Sequence, residues 1–92
     1  FLTGCAAPSL RFEPVDVPVT VTVHIVSSLR EMPQEARALF PGMIACAYPN
    51  GHIWILGTKT RTGIDVDDRV LGHELHHLLN WRSYDAITNP DK

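Results

Sequence analysis

Cysteine is nearly absent: Cys5 and Cys46 are the only two among 92 residues. That is too few for the disulfide framework that staples small secreted domains. Basic charge is not in excess either, since 8 Lys and Arg stand against 10 Asp and Glu for a net charge of -2. No stretch interleaves aromatic with basic side chains, so nucleic acid is not an expected partner. No apolar run is long enough to cross a bilayer as a helix, and any membrane association would have to come through lipid. Internal repeats and low-complexity tracts are missing as well. What is present is a globular composition, 45% hydrophobic and 20% charged, in a chain with room for one modest core.

Residues 71–81 read LGHELHHLLNW. Within them His73, Glu74 and His77 spell H-E-x-x-H, which on a helix points two imidazoles toward one metal ion. The carboxylate beside the first imidazole can then serve as a base toward a water at that ion. At about 100° per residue from His73, His77 falls near 40° and Glu74 near 100°, while Leu78, Leu71, Leu75 and Leu79 span roughly 140° to 240°. One side carries chemistry and the adjoining side is apolar. His76, near 300°, points away from both and reads as solvated.

This stretch resembles the active-site helix of the zincin metallopeptidases. Leu75 and Leu78 agree with the apolar places of the family pattern, and His76 departs from it. The resemblance implies a zinc ion, His73 and His77 as ligands, Glu74 as general base and peptide hydrolysis. It also implies a third ligand, because a catalytic zinc usually has three protein donors and an open position. Asn80 and Ser83 stand where one branch of the family has Gly and His, and no Glu follows Glu74. Asn80 suits the left-handed turn that ends a helix, which would return Asp85 to the metal, as in zincins with an aspartate ligand. Asp85 is thus the first choice, with Asp91, His52, His24 or a ligand outside this sequence as alternatives. Tyr84 or Tyr48 would be the residue to stabilise an oxyanion.

Leu2, Thr3, Gly4 and Cys5 resemble the lipobox of a bacterial lipoprotein, which implies a lipid anchor at Cys5 and a place at the bacterial cell envelope. Cys46 would then be a small hydrophobe in a strand. Residues 6–18 hold Pro8, Pro14 and Pro18 with little apolar periodicity, as in an extended tether. The expected organisation is a lipobox remnant and tether over 1–18 and a zincin-like metal-binding domain over 19–92.

Inside that domain VTVTVHIV, residues 19–26, alternates as a strand, with Val19, Val21, Val23 and Ile25 on one face and His24 on the more polar one. Pro33 opens a short helix that Pro41 and Gly42 end. Residues 43–48 and His52–Leu56 flank Pro49-Asn50-Gly51 as a hairpin. Residues 58–63 read as a loop. Asp65 reads as the N-cap of the metal helix with Asp68 three residues on, and Gly72 as a site of close packing. The expected fold is α+β: a small three-stranded sheet with two helices, the second carrying H-E-x-x-H. A peptide or protein substrate is expected along His52–Leu56 as a sheet edge. A non-catalytic metal-binding module or an envelope interaction module is the alternative function.

Overall fold

The computed structural model describes residues 10–92; Cys5 and the lipobox lie outside the described residues. Residues 10–21 carry no helix or strand, and Leu10 and Phe12 lie almost wholly exposed. Then come β1 (Thr22–Val26), a 3-10 turn (Leu29–Glu31), α1 (Gln34–Leu39), β2 (Ala45–Ala47), β3 (His52–Leu56), β4 (Thr58–Lys59), β5 (Ile64–Asp65) and α2 (Asp68–Arg82). The architecture is α+β, with a mixed three-stranded sheet and two α-helices.

The hairpin forms where Asn50 and Gly51 place it. Gly51 has φ of +96°, a conformation that costs glycine little, and a Cβ there would run into the Thr20 carbonyl oxygen. The Asn50 side-chain oxygen accepts the His52 N–H, and β2 pairs antiparallel with β3 so that Cys46 faces Trp54. β1 joins the other side of β3 in parallel, with Val23 beside Ile53 and Ile25 beside Ile55.

The sheet order is therefore β1-β3-β2, and His52–Leu56 is the central strand rather than an edge. The physical reason lies in the side chains. Ile53 and Ile55 are completely buried, as suits a strand flanked on both sides, whereas three small residues make β2 a short edge. On β1 the expected apolar face is the more exposed one: Val23 and Ile25 remain 39% and 48% exposed. Helix α2 packs chiefly against β2, with less against β3, so the outer strand receives little cover.

Residues 58–63 are not all loop. β4 and β5 form a second, two-stranded ribbon. The Thr60 hydroxyl closes its turn by accepting the Thr62 and Gly63 N–H groups. Asp65 is consequently in a strand, and the N-cap of α2 is Asp67, whose carboxylate accepts the N–H groups of Arg69 and Val70. That position satisfies two backbone donors at the helix start and sets a negative charge at the positive end of its dipole. Gly72 has open space where a Cβ would stand, so close packing is not its role.

The core is small. Among the described residues, Met32, Ala36, Ile53, Ile55 and Leu78 are its buried hydrophobic side chains. Of the leucine stripe on α2 only Leu78 is fully buried, and Leu75 is more than a third exposed. Leu78→Ala is accordingly expected to destabilise the fold by about 2–5 kcal/mol, the range for emptying a closed leucine site. The midpoint of urea unfolding checks it, with Leu75→Ala as the milder comparison.

Candidate metal centre

α2 runs unbroken through His73, Glu74 and His77, and the turn of helix between the two histidines puts both imidazoles on one side. Their ring centroids are 5.1 Å apart and the rings meet nearly edge to face. Trp81, one turn further on, stacks against His77 at 5.2 Å and 24°. The indole thus packs against the His77 ring.

The third member arrives from the chain beyond the helix. α2 extends to Arg82, with Ser83 as its C-cap, rather than ending at Asn80. Asn80 is buried, and its side-chain amide donates to the Ile87 carbonyl at 2.6 Å, which draws the following segment back along the helix. Thr88 then meets the His76 ring at 3.3 Å, so His76 holds this segment and is half-buried rather than solvated. Pro90 follows Asn89, whose side-chain oxygen accepts the Asp91 N–H at 2.9 Å in a local turn. The outcome is Asp91 beside both imidazoles: Oδ1 lies 3.0 Å from His73 Nε2 and Oδ2 lies 3.3 Å from His77 Nε2.

Asp85 is not in this group. It lies exposed near the tight turn where Ala86 and Ile87 donate to the Ser83 carbonyl. The turn comes after Asn80 as expected, but it is spent on reversing the chain, so the carboxylate that arrives is six residues later. Tyr84 is 81% exposed, and Tyr48 donates to Glu35 in a different pocket, so neither tyrosine stands at the centre. The histidines named as alternative ligands, His24 and His52, are also elsewhere, paired with each other.

His73, His77 and Asp91 can hold a metal ion, since each offers one ligand atom and these atoms lie within 4.8 Å of one another. Tetrahedral bonds of about 2.0 Å separate neighbouring donors by about 3.3 Å, so the two Asp91 contacts stand near that spacing and the widest gap would close by up to about 1.5 Å. Donor chemistry agrees: two imidazoles and one carboxylate suit a borderline divalent ion.

Glu74 is buried at the floor of an open cleft whose other walls include Phe40, Met43, Ala45, Cys46, Ala47 and Trp81. Burial holds its carboxyl above the ordinary glutamate range; His77 and then His73 pull it back down, and Asp91 pushes it up slightly. The Cys46 thiol, on the neighbouring wall, is also pushed up by burial, with the Glu74 charge as the next cause. It therefore stays protonated at neutral pH and is a poor metal donor until something removes its proton.

Three features of this centre were harder to see in the sequence. The Trp81 stack follows from the four-residue spacing after His77. Asp91 is named only as an alternative to Asp85, and the cue that favours it is the Asn89-Pro90 turn. Phe40 and Met43 come from the turn between α1 and β2 and carry no local signal. Comparison with protein-family models, curated proteins and solved structures finds no match for the chain, so functional inference rests on these residues themselves.

Proposed function

We propose that the chain is a zinc-dependent peptide hydrolase acting in the cleft of Glu74. One observation carries this reading: a buried carboxylate opens into the same cleft as a His-His-Asp group, beside the free edge of β2. Three protein donors leave a fourth position for water or substrate, whereas a purely structural zinc is closed by four. A zinc ion held by His73, His77 and Asp91 supplies a Lewis acid toward a carbonyl oxygen and makes water more acidic.

The rest is done by the chain. Glu74 takes a proton from the attacking water, whose hydroxide joins the carbonyl carbon. The same carboxyl returns the proton to the amine as the C–N bond breaks. An extended peptide is held by β2, not by His52–Leu56. The Tyr48 N–H donates to the His52 carbonyl and the Leu56 N–H to the Ile44 carbonyl, so Ile44 and Tyr48 direct backbone groups at β3. By the alternation of an antiparallel pair, Ala45 and Ala47 turn theirs outward, free to pair with a substrate strand. The lipobox-like Leu2 to Cys5 stretch extends the proposal to a lipid-anchored enzyme at the bacterial envelope. No helix among the described residues is long and apolar enough to cross a membrane.

A second duty for the ion is favoured by the small core. Asp91 belongs to the segment after α2, so an ion joined to it and to both histidines would staple that segment to the helix. Chelation and zinc return test both duties together. Chelator is expected to abolish cleavage of an unstructured peptide and zinc to restore it. Zinc at about 1,000 times its Kd is expected to raise stability by about 4 kcal/mol, seen as a shift in Tm. Cleavage that persists in excess chelator would overturn the hydrolase reading.

A further inference from the structure

The two edges of the sheet differ. β2 opens onto the cleft of Glu74, whereas β1 is the opposite edge, and no strand among the described residues covers it. Its ladder to β3 uses alternate residues: the Thr22 N–H donates to the Gly51 carbonyl, and the Val26 carbonyl accepts the Gly57 N–H. Val23 and Ile25 therefore turn their N–H and C=O groups outward. Proteins commonly blunt such an edge with charge or proline, yet VTVTVHIV, residues 19–26, contains no proline, lysine, arginine or acidic residue.

The side chains are apolar as well. Val23 and Ile25 share the sheet face of Ile53 and Ile55, but α2 packs chiefly on β2, at the other edge, and leaves both exposed. Ile25 and Ile64 close over Gly57, where a Cβ would strike both of them. Beside them lies an apolar pocket of about 170 Å³, completed by Val26, Ser27 and Lys59. A recess thus marks the C-terminal end of β1, and at its N-terminal end the valine alternation runs on through Val19 and Val21.

We propose that β1 is a self-association surface, occupied by β1 of a second copy joined antiparallel about a two-fold axis at His24. The register follows from the free backbone groups. Val23 falls opposite Ile25 of the partner subunit, and the two exchange a pair of N–H···O=C bonds that the two-fold axis repeats. All four outward N–H groups and all four outward carbonyls of the two strands are then used. An axis at Ile25 would instead set Val23 against Ser27, whose N–H is already held by the Glu31 carboxylate, and an axis at Val23 would set Ile25 against Val21, outside the strand.

A second copy suits this edge because the edge is self-complementary. Val23 packs on Ile25 twice across the axis, and Val21 of the partner subunit is carried beyond Val26 toward the pocket beside Ile64. With no formal charge in residues 19–26, the two-fold axis brings no fixed like charges together. The area is modest, and interfaces below about 1,200 Å² belong to weak pairs, so association is expected in the micromolar range. The product is one six-stranded sheet in the order β2-β3-β1-β1-β3-β2. Both clefts stay at its outer ends with the β2 edges free.

Sedimentation equilibrium of the full-length protein under reducing conditions, from roughly 1 µM to 1 mM, is expected to pass from one chain to two. Hydrogen exchange at the Val23 and Ile25 amides is expected to slow in step, by about tenfold where nine-tenths of the chains are paired. Ile25→Lys is expected to stay monomeric over that range with circular dichroism unchanged. The proposal is overturned if the mass remains that of one chain, if dimers form without slowing those two amides, or if folded Ile25→Lys pairs as well as the parent. Amides already protected in the monomer would mean that the chain covers its own edge, and would overturn it too. Should Ile25→Lys unfold, the concentration dependence of exchange in the parent decides.

Discussion

Glu74→Gln is expected to leave one zinc ion per chain and to lower peptide hydrolysis by roughly 10²–10⁴-fold, the usual contribution of a positioned general base. The substitution keeps the size and the hydrogen-bonding capacity of the side chain while removing its ability to take a proton. His73, His77 and Asp91 are untouched, so metal content by elemental analysis and cleavage by chromatography separate binding from chemistry. Loss of both together would mean that the carboxylate serves the site as structure.

The same variant has an opposite effect on stability in the ion-free protein. Burial raises the Glu74 carboxyl above its ordinary value. Between the unfolded and folded values the folded state binds more protons, so stability falls as pH rises through that window. Above it the charged carboxylate is a standing cost, and below the ordinary glutamate value the cost is gone. Glu74→Gln is therefore expected to raise the Tm of ion-free protein at neutral pH, with the gain disappearing on acidification. An enzyme that loses its activity and gains stability through one substitution is the signature of a group buried for its chemistry.

Asp91→Ala is expected to weaken zinc binding more than the roughly 10–100-fold typical of removing an outer partner of a metal ligand. Asp85→Ala is expected to leave it unchanged. Competition against a chromophoric chelator measures both. The contrast is sharp because the two residues share a type and a short segment, and differ in position: one is exposed near the reversal of the chain and the other beside both imidazoles. Equal effects, or a larger one for Asp85, would mean that a different carboxylate completes the site.

Local signals in the chain were legible where one residue type decides the outcome. The helix bearing His73, Glu74 and His77, the turn at Asn50 and Gly51, and the proline-led α1 all depend on neighbours in sequence. What needed the third dimension was the order of strands. VHIV and HIWIL both read as apolar strands, and nothing local says that the first adds in parallel to the second and closes its free side. Asp85 lies outside the His73–His77–Asp91 group for a related reason. A turn after α2 was readable from Asn80, but its length depends on the Asn80 to Ile87 hydrogen bond, a contact across seven residues. The capping aspartate was misplaced by two positions because Asp65, Asp67 and Asp68 are all suitable, and only the β4–β5 pairing removes Asp65 from contention.

The parallel seam between β1 and β3 also dictates a sequence of events in time. β2 and β3 are joined by a tight turn and can zip together as soon as that turn closes. β1 must wait for a much longer intervening loop to be gathered, and only afterwards does its ladder offset the entropy lost. Folding would therefore start from the β2–β3 hairpin and finish on its far side. The hydrogen bond between His24 and His52 spans that late seam, and the cleft of Glu74, built from β2 and the distant helix α2, likewise waits for far-separated chain to be gathered.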